Sequence, residues 1–383
     1  MNDTYRRYRA IKQGLMQFYQ PHPTGHQERH LNTLIALICG LSGARHAHLS
    51  SIADHAPSHG ADQESLITRL AQGAPRFLKN DKTTIKGWFL PVAKALLANL
   101  AQQPLTLVID GSVVGRGCIA LMLSVVYHGR ALPLCWVVVK GKKGHFPQQT
   151  HCDLLAHLQE LIAAGAEVTV LGDGEFDGTE FQAALRRLKW KYVCRTAPNL
   201  LMMVEGRTFT IGAMAPERGE LMGVRPAWVT AEQYGPVSVL ALWEAKDEEP
   251  IYLVTNLGDL KAAVELYRKR AHIETFFARR APDQKSRGFN IHKSHLSAPA
   301  RLLRLLIASC LASIWLVYLG VCAVRDGWLK RLHRQDRCDL SLFRLGVRLL
   351  ARCLKDDIPI PEGFLVPARL PHKPVRQLLK QAA

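Results

Sequence analysis

The chain has 383 residues, 48% of them hydrophobic and 21% charged, which is enough apolar content to bury a sizeable core and excludes a disordered polymer. Its 50 lysines and arginines outnumber 32 acidic residues for a formal net charge of +18, so the expected partner is a polyanion, either nucleic acid or an anionic membrane. Nine cysteines stand scattered, at 39, 118, 135, 152, 194, 310, 322, 338 and 353, with no C-x-x-C pair and an odd total. That spacing argues against a zinc site and against a disulfide framework, and it fits a reducing cytosol.

The first 100 residues read as helical, with apolar residues at helical spacing in "LNTLIALICGL" and in "WFLPVAKALLANL". No apolar run follows the charged "MNDTYRRYR", so no secretory signal is expected. Basic and aromatic residues interleave in "TYRRYRAIKQGLMQFYQ" and "PRFLKNDKTTIKGWF", which suits contact with phosphates and bases and equally suits a solvated basic face. Seven histidines between His22 and His59 lack carboxylate or cysteine partners at ligand spacing and are not read as a zinc site.

The pattern changes after Pro104. "LTLVID" is a short apolar strand ending in a carboxylate, and "CIALMLSVVYHGRALPLCWVVVKG" gives two longer strands joined through His128, Gly129 and Arg130. A helix in "CDLLAHLQELIAAGA", a strand in "EVTVLGDGEF", a helix over 177–189 and a fifth strand in "KYVCRT" follow. This succession is an α/β arrangement of the ribonuclease H kind, with a mixed sheet. Short β-prone pieces separated by Gly and Pro mark a β-rich insertion, "PIYLVTN" resumes the strand pattern, and a helix carrying "LYRKRAHIETFF" comes next.

From Leu305 to Val324 the chain runs 20 residues without a charge, long enough to cross a bilayer. Arg301, Arg304 and Arg325 bracket it on both sides and no second span accompanies it, which favours a buried core helix and no membrane. The resulting division is a helical region over 1–100, the first part of the ribonuclease H-like core over 101–200, the insertion over 201–250, the rest of the core with the helix of "LYRKRAHIETFF" over 251–325, and a basic helical region over 326–383. The last contains "LKRLHRQDRCDLSLFRLGVRLLARCLK", amphipathic and suited to DNA or a second subunit.

Three carboxylates carry the chemistry: Asp110 at the end of the first strand, Asp173 at the end of the fourth, and Glu274 on the late helix. Two aspartates at strand ends and a glutamate from a helix can hold two Mg²⁺ or Mn²⁺ ions that clamp the attacking and leaving oxygens of a phosphoryl transfer. Singly, each aspartate equally fits a turn-capping role. Tyr267, Arg270 and Glu274 lie about 300° and 700° apart around a helix and so share one face. Arg270 can then grip a phosphate and Tyr267 the strand beside the scissile bond. The alternatives are a core-edge tyrosine and an i,i+4 ion pair between Arg270 and Glu274.

"LYRKRAHIETFF" resembles the Tyr-Arg-Glu-Lys signature of bacterial insertion-sequence DDE transposases, the group whose founding member is insertion sequence four. "LVIDGS", "VLGDGEFDG" and "QKSRGFNIHKSHL" match the other motifs in order, and the resemblance runs from about Arg76 to Pro361. It implies an RNase H-like core, a β-rich insertion before the last acid, a helical DNA-binding N-terminal region and cut-and-paste transposition with divalent metal. It also implies double-stranded DNA as partner, a homodimer in the DNA complex, and a place in the bacterial cytoplasm beside the nucleoid.

The match departs from the family in one respect, because the lysine of "QKSRGF" is Lys285, four residues later than the family spacing, with the extra residues in "ARRAP". Pro282 kinks or ends a helix there, and Arg279 or Arg280 can substitute for the lysine. Lys140, Lys142 and Lys143 on a glycine-flanked loop, with Arg287 and Lys293, are further DNA-contact candidates. Tyr252 and Trp243 are candidates for the aromatic with which the family stacks a flipped base. The leading reading is a transposase; the alternatives are a nuclease of the same core fold and a degenerate copy that only binds DNA.

Overall fold

The computed structural model describes residues 2–57, 65, 77–142, 146–272, 288–333 and 339–370. Glu274, Lys143, Lys285, Arg287 and the extra residues near 278–282 lie outside them.

Helices open the chain: α1 (Asp3–Met16), α2 (Gly25–Ala44), α3 (Leu49–Asp54), α4 (Ile85–Trp88) and α5 (Leu90–Leu100). The Asn2 side chain caps α1 by accepting from the Thr4 amide at 3.0 Å. The arginines of "TYRRYR" turn inward as well as outward. Arg6 donates to the carbonyls of Cys353, Leu354 and Ile358 at the far end of the chain, and Arg7 is buried and donates to the His55 carbonyl. These two serve as staples, because a guanidinium can satisfy several orphan carbonyls at a helix C-terminus at once.

The core is a meander, β1 (Leu105–Gly115), β2 (Cys118–Tyr127) and β3 (Arg130–Lys140), followed by α6 (Gln148–Gln159), β4 (Val168–Gly172), α7 (Thr179–Arg187) and β5 (Lys191–Thr196). His128 and Gly129 both adopt positive φ, the two-residue hairpin turn that matches strand twist. β4 pairs parallel to β1 on the side away from β2, and β5 pairs parallel to β4, giving the order β3-β2-β1-β4-β5 of a ribonuclease H-like core. Helices cover both faces. The Cys135 thiol reaches the Leu154 carbonyl of α6 on one face, and the next residue, Trp136, meets Phe89 between α4 and α5 on the other, with ring centroids 4.6 Å apart.

The β-rich stretch extends this sheet. β10 (Ile251–Thr255) pairs antiparallel to β5, and β9 (Tyr234–Leu242), β8 (Leu221–Val229), β6 (Leu201–Val204) and β7 (Arg207–Thr210) continue outward, so one sheet of ten strands results. α8 (Leu260–Arg268) follows, with the Asp259 side chain accepting from the Ala262 amide at 3.0 Å, and ends in a 3₁₀ turn over Lys269–His272. The single helix expected through Arg270 therefore tightens just before it.

α9 (Pro299–Arg325) is the long apolar helix; after the short α10 (Leu329–Leu332), α11 (Leu342–Lys355) packs along it. It is long and apolar enough to cross a membrane, yet 94% of its most apolar window is buried inside the protein. Its contacts are those of a core helix. A Cβ on Gly346 would collide with the Leu316 carbonyl and one on Gly320 with the Leu342 carbonyl, so the two backbones touch only because both positions lack a side chain. Arg304, near the start of α9, is buried and donates to the carbonyls of Leu78 and Thr83 and to Asp81, tying the N-terminal helices to the core.

Candidate active site

Asp110 is in the middle of β1, because β2 pairs with that strand well past it, out to Gly115. On the other side the ladder with β4 ends at Val108 opposite Leu171. Two residues beyond that last pair on each strand stand Asp110 and Asp173, so parallel register puts both carboxylates at one level on one face. The cleft opens where β4 stops and β1 continues.

Local sequence explains how Asp173 is held. One of its oxygens accepts from the Glu175 amide at 3.1 Å and its carbonyl accepts from the Phe176 amide at 3.0 Å, an Asx-type turn built from "DGEF". The turn folds Phe176 back so closely that a Cβ on Gly172 would lie 2.7 Å from the phenylalanine Cβ. Glycine is required there for packing.

The remaining Asp173 oxygen accepts from Nη2 of Arg270 at 2.9 Å, and the same nitrogen stands 3.9 Å from Oδ1 of Asp110. One guanidinium thus bridges both aspartates. Burial pushes the Tyr267 hydroxyl above its usual range, Arg270 and Arg195 pull it back, and Asp173 adds to the rise. Tyr267 therefore feels the charges of Arg270 and Asp173 even though the helix changes pitch between Tyr267 and Arg270.

Two further carboxylates of the same loop are missed when the motifs are read singly. Asp177 accepts from the Thr196 hydroxyl at 2.6 Å, and burial raises its carboxyl, with the negative charge of Asp173 contributing. Glu175 faces the Phe146 amide at 3.5 Å, at the end of the lysine-bearing loop. The signal for both is the spacing of acids in "DGEFD", every second residue on a turn. Behind the loop His151 is buried against the rings of Phe176 and Phe181, at 4.9 and 5.8 Å, and neither of its nitrogens has a hydrogen-bond partner among the described residues. Burial pulls its pKa down to about 4, against the opposing pull of Asp173.

The other residues named from sequence are spread out. Lys140 pairs with Cys118, whereas Asp110 is paired with Met122, so Lys140 and the exposed Lys142 stand on a rim about 13 Å further along the sheet. Lys293 is exposed at the end of a 3₁₀ turn, Ile291–Lys293. Tyr252 is buried in β10 between Thr196 of β5 and Ala241 of β9, so its ring belongs to the core and not to a stacking surface. Trp243 is half-buried just past β9, donates to the Asp247 carbonyl at 3.2 Å and has the Arg218 guanidinium 5.4 Å from its ring centroid.

Chemically, two hard oxygen donors at one level suit a divalent cation such as Mg²⁺ or Mn²⁺. Among the described residues no group of three or more His, Cys, Asp or Glu is arranged to hold a metal. Asp110 and Asp173 have instead the positive charge of Arg270 between them.

Comparison with known proteins identifies the family. No curated protein matches the chain. A solved structure, a piggyBac transposase synaptic complex with hairpin DNA, aligns over 95% of this chain and 85% of its own at 14% identity and a TM-score of 0.47. The family model of the transposase DDE domain matches residues 102–315, more than half of the chain, and spans both aspartates and Arg270. The chain belongs to the transposase DDE-domain family.

Proposed function

We propose that the protein is a transposase of the bacterial insertion-sequence-four type, which binds the ends of its own element as a dimer, cleaves them and joins the freed 3′ hydroxyls to target DNA. The observation that carries this reading is the level pairing of Asp110 and Asp173 at the β1–β4 opening with Arg270 between them. Asp110 and Asp173 would hold Mg²⁺ or Mn²⁺ together with Glu274, and two bound ions would polarise the scissile phosphate and stabilise the leaving oxygen. Arg270, next to those oxygens, is positioned to transfer its guanidinium from carboxylate to phosphate, since its planar fork can engage two oxygens of either group. Tyr267, within the field of Arg270 and Asp173, would orient the strand. A net charge of +18 supplies the sequence-independent part of DNA affinity.

The test is incubation with duplexes carrying the element ends in Mg²⁺ and mapping of the cut and joined strands. Asp110→Asn and Asp173→Asn should each lower cleavage by orders of magnitude while DNA binding persists. Cleavage without joining would instead identify a nuclease, and binding without either a repressor-like copy. An undiminished rate in either aspartate variant would refute the site.

A further inference from the structure

A second group of side chains gathers at the far end of β1, remote from the acids. It draws on three separate segments: His46 and His48 between α2 and α3, Arg116 in the β1–β2 turn, and Lys293 and His295 at and just past the end of the 3₁₀ turn. Two of the segments are tied directly, the Arg116 amide donating to the Leu296 carbonyl at 3.0 Å and the Cys118 thiol to the Ser297 carbonyl at 3.2 Å. The His48 and His295 rings meet edge to face at 5.3 Å, and those of His46 and His48 at 6.3 Å.

Hydrogen bonding decides where the ring protons reside. Nδ1 of His295 lies 2.9 Å from Nη2 of Arg116, and a guanidinium only donates, so that nitrogen accepts. Nδ1 of His46 receives the His48 amide at 3.0 Å and accepts for the same reason. Both rings therefore carry their proton on Nε2. Arg116, Lys293 and His295 are exposed and His46 and His48 half-buried, so the group is open to solvent. The charges acting on His46, from His48, Lys293 and His295, all push its pKa down alongside burial, as expected in a locus with surplus positive charge.

We propose that His46, Arg116, Lys293 and His295 form a docking site for the backbone phosphates of duplex DNA that runs on from the acid pair. Every group offered is a donor, and phosphate oxygens only accept. Arg116 lies six residues beyond Asp110, about 20 Å along an extended strand, which corresponds to about six base pairs of duplex. Because His46 belongs to the helical region and Arg116 to the catalytic strand, one phosphate contact would set the N-terminal helices and the acid pair in register on the same DNA. This rests on the transposase reading.

The experiment is duplex binding by fluorescence anisotropy in EDTA across a salt series. The double variant Arg116→Gln/Lys293→Gln should lose about tenfold in affinity at about 0.1 M salt and flatten the log–log slope by about one to two, since each phosphate contact contributes about 0.9. His46→Asn/His295→Asn leaves an acceptor where each Nδ1 stood, tolerates the positive φ of His295, and removes the outward Nε2 donors along with the ring contacts to His48. It should weaken binding about fivefold with the slope unchanged. Arg116→Lys should keep the wild-type slope. Circular dichroism and thermal melting establish that the variants fold, and the single Lys293→Gln replaces the first double variant if that one does not. Wild-type affinity and slope in both double variants would overturn the docking site alone. Failure of the wild-type protein to bind any duplex would overturn it together with the transposase reading.

Discussion

Replacing Arg270 by glutamine removes the positive charge that Asp110 and Asp173 share, and the consequence can be estimated from their burial. The arginine side chain is 17% exposed, Asp110 8% and Asp173 23%, and the shorter contact is 2.9 Å. Deleting one partner of a fully buried ion pair costs about 3–5 kcal/mol, because the other charge stays desolvated. The partial exposure of Asp173 lowers this, while the repulsion left between two carboxylates raises it, so about 2–3 kcal/mol is expected for the metal-free protein. A bound divalent cation would supply the missing charge, so the deficit should shrink in Mn²⁺. The same reasoning makes Arg270 a competitor for the metal, and its removal should tighten Mn²⁺ binding about tenfold or more, equivalent to about 1.4 kcal/mol. Urea denaturation in EDTA and in Mn²⁺, with calorimetric titration of Mn²⁺ into the DNA-free protein, measures both quantities. If Arg270→Gln left stability in EDTA and Mn²⁺ affinity at wild-type levels, the guanidinium would not be the counter-charge of the acid pair.

Three other expectations follow from the packing. His151 has a folded pKa lowered to about 4, so below its ordinary value of 6.5 the unfolded chain binds a proton that the folded one refuses, and stability falls as pH drops from about 6.5 to 4. His151→Leu should lose part of that acid sensitivity, up to about 3 kcal/mol, and parallel melting curves for the two proteins from pH 7 to 4 would contradict it. Gly346→Ala forces α11 off α9 against a backbone carbonyl and should destabilise by about 1–3 kcal/mol or more, read by denaturant midpoint; an unchanged midpoint would mean the helices can slide apart freely. Arg304→Met strips the carbonyls of Leu78 and Thr83 of their donor and should cost about 2–4 kcal/mol, with proteolysis of the N-terminal helices accelerating first.

Much of the catalytic domain is legible in the order of its residues. Alternating and continuous apolar runs announce five strands and two helices in ribonuclease H order, because strand and helix periods are local properties of the chain. The two aspartates stand out for the same reason, each following an apolar run and preceding a glycine, although only Asp173 lies in a turn and β1 continues past Asp110 to Gly115. Long-range pairing is not legible. Nothing in "PIYLVTN" says that it aligns antiparallel to "KYVCRT" and welds the insertion into one ten-stranded sheet, since either edge of a strand offers the same backbone groups.

Side-chain destinations divide in the same way. Composition alone establishes a surplus of positive charge, but it cannot distinguish Arg6, Arg7 and Arg304, which satisfy buried carbonyls, from the exposed Arg116 and Lys293. Helical spacing puts Tyr267 and Arg270 on one face; the fold places the guanidinium between two carboxylates 63 residues apart in sequence. The amino-acid sequence by itself determined most of the elements, their order and the two aspartates that follow apolar runs, because those follow from local periodicity and turn chemistry; that β1 runs on past Asp110 came only from its pairing with β2. Only the tertiary structure decided which cations neutralise acids, which cap helices and which remain open to a phosphate, because electrostatic energy depends on distance and burial, and both are set by contacts between segments far apart in the chain.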